Sequence, residues 1–156
     1  MKHHYAVTVR WTGNTGSGTS DYRSYRRDHE IEADGKSAIA GSSDPTFRGD
    51  KARWNPEELL VASLGACHQL AYLHLCADAG ITVLEYEDRA AGTMVTEASG
   101  AGRMVDVLLS PSVTIAAGGD PDRAHDLHER AHELCFIANS VSFPVRCEPS
   151  THVRQA

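Results

Sequence analysis

The chain has 156 residues, 41% hydrophobic and 23% charged, with a formal net charge of −6. A chain of this length corresponds to one domain, residues 1–156, and buries roughly 70% of its unfolded surface, enough for a core without staples. The acidic balance excludes nucleic acid and anionic membranes as main partners, because each needs a basic face.

Met1-Lys2-His3-His4 runs directly into alternating residues with no apolar stretch, so no secretory signal is expected and the compartment is read as cytoplasmic. Thiols stay reduced there, and Cys67, Cys76, Cys135 and Cys147 show no CxxC spacing. They are read as core residues or reactive groups, not as a disulfide framework.

Tyr5, Val7, Val9 and Trp11 alternate with polar partners, which predicts a strand over residues 4–12. Thr12 to Ser20 is rich in Gly, Ser and Thr and reads as a loop. Residues 22–33 read as a second strand with Arg23, Tyr25, Arg27, His29 and Ile31 on one face and Arg26 on the other. Gly35 to Arg53 reads as an irregular excursion with a short strand around Phe47.

A helix then opens with Asn55 as its cap, Pro56 at the first position and Glu58 completing a capping box. It runs to about Ala79 and ends at Gly80. The stretch Leu59 to Ala77 nears membrane-spanning length, but His68, Gln69 and His74 interrupt it, which favours a buried core helix. Leu59, Leu60, Val61, Leu64, Leu70, Leu73 and Leu75 cover most directions, so the helix needs protein on most sides and a dimer is expected.

Residues 81–95 and 103–116 read as a strand pair, with Val105, Val107, Leu109, Val113 and Ile115 facing one way. Asp120 and Pro121 open a second helix whose stripe is Ala124, Leu127, Ala131, Leu134 and Ala138. Val141, Phe143, Val145 and Cys147 alternate as a last strand. The order predicts an α+β domain of antiparallel sheets around a long buried helix and a second helix.

Among the cysteines, Cys67 has two readings: a small core hydrophobe, or a reactive thiol with His74 and Ser63 close by on the helical wheel. Cys76 lies about 180° round the helix and about 13 Å along it, so it cannot bond Cys67 and reads as core. Cys147 shares a strand face with Phe143 and Val145 and reads the same way. Cys135 sits at the edge of the second helix's stripe, beside His128, where it meets both core and solvent.

The stretch NPEELLVASLGACH, from Asn55 to His68, resembles the first-cysteine motif of the osmotically inducible / organic hydroperoxide resistance (OsmC/Ohr) family. AHELCFIAN, from Ala131 to Asn139, resembles its second motif, and the element order matches over nearly the whole chain. The resemblance implies an intertwined homodimer with two interface sites. It makes Cys67 the peroxidatic thiol, Cys135 the resolving one, and Glu57 the acid that holds a catalytic arginine. The family's arginine lies near the first strand turn, but Asn14 to Thr19 contains none. Arg27, on the face of Ile31, is the first candidate and Arg23 the second. His68 after Cys67 and Phe136 after Cys135 also depart from the hydroperoxide-specialised pattern, marking a divergent branch.

The implied activity is thiol-dependent reduction of organic hydroperoxides. A Cys67 sulfenic acid would condense with Cys135, and an external dithiol of lipoyl type would reduce the disulfide, with no bound cofactor. Leu60, Leu64 and Phe136 would favour an organic peroxide. Glu57 and Cys67 are ten residues apart, about 15 Å along one helix, so either the helix breaks or one site draws them from two chains. Two other readings stand beside this one. His128, His132 and Cys135 could hold a metal, although no HExxH or CxxC pattern supports it. The dimer could instead be a non-catalytic module that binds a small hydrophobic ligand or senses redox state.

Overall fold

The computed structural model describes residues 1–156. The chain forms two compact units, Met1–Leu59 and Leu60–Ala156.

In the first unit, β1 (Thr8–Trp11), β2 (His29–Glu32) and β3 (Ile39–Gly41) make an antiparallel sheet. The strand expected over 22–33 shrinks to its last four residues. Its first half satisfies its backbone locally instead: Ser24 N donates to Asp21 O, and the Arg27 guanidinium donates to the carbonyls of Tyr22 and Tyr25 at 2.6 Å each. Those groups have no need of a ladder partner. Phe47 closes a 3₁₀ turn (Pro45–Phe47), not a strand, because the Asp44 side chain accepts from Thr46 N at 2.7 Å and Pro45 presets the turn. Arg53 ties the sheet together, donating to Gly41 O, His29 O and Glu30.

Helix α1 (Pro56–Asp78) begins as its capping box dictates. Asn55 Oδ1 accepts from Glu58 N at 2.8 Å, and Asn55 Nδ2 donates to Glu58 Oε1. It ends in a Schellman motif: Gly80 takes φ 72°, Ile81 N bonds Cys76 O and Gly80 N bonds Ala77 O. The helix is unbroken over this span. In the single chain it buries one stripe only, Leu64, Gly65, His68, Tyr72 and Cys76, while Leu70 is 68% exposed. The expected enclosure on most sides is therefore absent within one chain.

In the second unit the expected strand pair forms, but each strand is broken midway. β4 (Val83–Asp88) and β5 (Ala91–Thr96) make the first half of the ribbon. β6 (Gly102–Leu109) and β7 (Pro111–Ile115) make the second. β5 pairs with β6 and β4 with β7, in different sheets. Pro111 lacks the N–H that would continue a ladder, and Ser110 N turns aside to Asp88 Oδ1 at 2.7 Å. The last segment breaks similarly at Pro149, giving β8 (Val145–Cys147) and an unforeseen β9 (Ser150–Val153). Both join their sheets in parallel, β8 to β6 and β9 to β7, so these sheets are mixed and not antiparallel throughout.

Helix α2 (Pro121–Leu134) starts where Asp120 caps it, accepting from Asp122 N and Arg123 N. It buries Ala124, His128 and Ala131, a stripe turned toward His128 and away from Leu134, which is 37% exposed. Ala138 falls beyond the helix in a 3₁₀ turn (Ala138–Ser140). The core has two clusters. One gathers Tyr72, Cys76, Ile81, Val113, Ile115, Ala124 and Ala131, and the other Leu64, Val107 and Leu109. Tyr72 spans α1 and α2, donating its hydroxyl to Ala124 O at 2.9 Å and stacking on His128 at 3.8 Å.

Candidate active site

Cys67 lies midway along α1, half-buried, and Cys135 is the C-cap residue of α2 with 1% exposure. The structure brings the two together within the second unit. Burial pushes the Cys135 thiol up, a hydrogen bond from the Ala138 backbone opposes that, and the adjoining Cys67 thiol adds to the rise. Cys135 Sγ accepts from Ala138 N at 3.4 Å. The position follows from the local chain. At Cys135 the backbone leaves the helix with ψ 107°, so the thiol is presented at the end of α2 and not along its side. All four cysteines are free. A half-exposed thiol beside a buried one is an arrangement that can form a disulfide with modest movement.

The other predicted residues fall as follows. Arg27 is in the first unit, on a loop and not on a strand face shared with Ile31. Its guanidinium lies over the rings of Tyr22 at 4.4 Å and Tyr25 at 3.9 Å, besides binding both carbonyls. The planar, charged group is thus held by two aromatic faces and two acceptors. Arg23 is exposed, and its backbone N–H binds Asp21. Glu57, in the first turn of α1, is half-buried and makes no ion pair with Arg27, whose donors go to carbonyls. His74 pairs with Asp78 at 3.3 Å on the exposed side of α1. Leu64 is fully buried in the core, so it cannot line a substrate surface as expected, whereas Phe136 is 80% exposed.

Cys76 is core, as expected: it is 1% exposed, and burial pushes its thiol up. Cys147 is a different case. It shares the Leu64 cluster but also points at an imidazole, with Sγ 3.7 Å from His68 Nε2. His128, expected beside His132 and Cys135, instead faces His68, the ring nitrogens 3.0 Å apart. Residues 68, 128 and 147 lie on three elements far apart in sequence, so no spacing announced them.

A family model described as OsmC-like protein matches residues 49–150. An OsmC-like protein of unknown function from Vibrio cholerae is 32% identical, with 96% of this chain and 100% of that chain covered and a TM-score of 0.87. An organic hydroperoxide resistance protein from Elizabethkingia anophelis is 21% identical, with 99% and 100% covered and a TM-score of 0.68. The organic hydroperoxide resistance protein OhrB of Bacillus subtilis is 20% identical, with 96% of each chain covered and a TM-score of 0.59. No curated protein sequence matches the chain.

Proposed function

Since the chain belongs to the OsmC-like protein family, we propose that it is a cysteine-based peroxidase that reduces organic hydroperoxides at the expense of an external dithiol. The observation that carries this is the pairing of half-exposed Cys67 with buried Cys135 at the end of α2. Relatives of the same fold named for organic hydroperoxide resistance supply the substrate class.

In the proposed cycle the Cys67 thiolate attacks the distal peroxide oxygen. The O–O bond breaks, the alkoxide leaves as an alcohol after taking a proton, and Cys67 becomes a sulfenic acid. Cys135 then loses its proton and attacks Cys67 Sγ. Hydroxide leaves as water and the disulfide forms. Two thiol exchanges with the external dithiol return both thiols. Cys135 performs its step at close range, where high effective concentration offsets its raised pKa.

Arg27 is the cation we assign to thiolate stabilisation, ahead of Arg23, because its guanidinium is fixed between Tyr22 and Tyr25. Glu57 is assigned to orient it in the assembled enzyme. With α1 continuous, Glu57 and Cys67 stand about 15 Å apart along its axis. A site using both therefore draws them from two chains, and we propose a homodimer with two interface sites. The exposed Val9 (64%), Trp11 (43%), Leu70 (68%) and Phe136 (80%) favour such an assembly. Four free cysteines suit a reducing cytoplasm.

The test is consumption of cumene hydroperoxide with a dithiol by wild type, Cys67→Ser and Cys135→Ser. Multiple turnovers lost in Cys67→Ser, with a trapped sulfenic acid in Cys135→Ser, are expected. A single oxidation event without turnover would instead make the protein a redox sensor.

A further inference from the structure

Three side chains outside the thiol pair meet between α1, α2 and the end of β8. His68 is fully buried and His128 is 3% exposed. One donor atom from each of His68, His128 and Cys147 lies within 4.8 Å of the other two. The nearest approaches are 3.0 Å between His68 Nε2 and His128 Nδ1, and 3.7 Å between Cys147 Sγ and His68 Nε2.

Two neutral imidazoles facing nitrogen to nitrogen share one proton. The facing atoms, His68 Nε2 and His128 Nδ1, are also those that converge with Cys147 Sγ, and their spacing suits a metal. Zinc holds imidazole nitrogen at about 2.0–2.1 Å and thiolate sulfur at about 2.3 Å. In a tetrahedron those lengths place two nitrogens about 3.3 Å apart, and a nitrogen and a sulfur about 3.6 Å apart. The observed 3.0 Å and 3.7 Å fall within a few tenths of these edges.

The surroundings suit a cation. A cavity of about 360 Å³ reaches the cluster, bordered by His128 and Cys147 and by His125, Asp126, Glu129 and His132. Two carboxylates thus line the approach from solvent. The charge of Asp88 is also felt at Cys147, and Asp88 Oδ2 is buried without a partner.

We infer that His68, His128 and Cys147 form a binding site for a zinc-class divalent cation, with three protein ligands and a fourth position open to the cavity. Nitrogen and sulfur donors exclude magnesium and calcium, which take oxygen. Binding replaces the thiol S–H bond by a metal–thiolate bond, and the proton leaves to solvent. The ion ties α1, α2 and β8 together at one point. His128 and Cys135 are seven residues apart, about 10 Å along α2, but His68 directly follows Cys67 on α1, so the site adjoins the thiol pair while sharing no residue with it.

The experiment is cobalt(II) titration of the metal-freed full chain, with zinc competition and elemental analysis. About one equivalent per chain is expected, with a cobalt–thiolate charge-transfer band that zinc abolishes. The band should disappear in Cys147→Ser. It should persist in the Cys67→Ser/Cys135→Ser/Cys76→Ala variant, where Cys147 is the sole thiol; this arm holds even if Cys147→Ser does not fold. No stoichiometric binding to wild type overturns the assignment. So does a band lost in the triple variant, which would place the cobalt on the redox pair.

Discussion

The His68–His128 pair predicts a steep loss of stability in mild acid when metal is withheld. Burial, reinforced by His132, lowers the His68 pKa to about 4. Burial, with His68 and His125 beside it, lowers that of His128 to about 3. An unfolded histidine titrates near 6.5. The folded pair therefore stays neutral while the unfolded chain takes up protons, so stability is full above about pH 6.5 and falls as pH drops toward the folded values. Between pH 7 and pH 4.5 the difference in proton uptake is worth about 2–3 kcal/mol for each ring and about 5 kcal/mol for the pair. Asp88, whose pKa burial raises, acts in the opposite direction and softens the total. The assay is urea unfolding with a chelator at both pH values, for wild type, His68→Gln and His128→Gln. Each substitution should reduce the loss between the two pH values by about 2–3 kcal/mol, whatever it does to stability at pH 7. If wild type and both variants lose equal stability on acidification, the buried rings are not held neutral and the reasoning fails.

Alkylation should discriminate the thiols: half-exposed Cys67 reacts first, and Cys135, at 1% exposure, follows only on local opening, as peptide mass mapping over time would show. Arg27→Met should lower peroxide turnover by about 10-fold or more through loss of the cation, and should also lower the midpoint of thermal unfolding, because the carbonyls of Tyr22 and Tyr25 lose their donor. Equal turnover would move the role to Arg23. Leu64→Ala removes a fully buried side chain from the Val107–Leu109 cluster and should cost about 2–5 kcal/mol in urea unfolding. Asn55→Ala deletes the cap on Glu58 N and should cost about 1 kcal/mol in the same measurement.

The chain's local signals carried through to the structure. Asn55, Pro56 and Glu58 set the start of α1, Gly80 its end, and Asp120 with Pro121 the start of α2, because caps act within a few residues of themselves. The two cysteine motifs led to the family for the same reason: each is a short contiguous string. Period-two alternation found the long strand pair but not its breaks, since Ser110 leaves the ladder only when Asp88, 22 residues away, offers a carboxylate. Arg27 was placed on a strand because its residues alternate, yet its guanidinium binds the carbonyls of its own loop and removes them from any ladder. The meeting of His68, His128 and Cys147 was illegible in sequence. It exists only because α2 packs its His128 face on α1 while β8 runs parallel to β6 and ends at Cys147. Short-range hydrogen bonds and periodicity are written along the chain, whereas convergence of distant donors is decided by which faces the core buries.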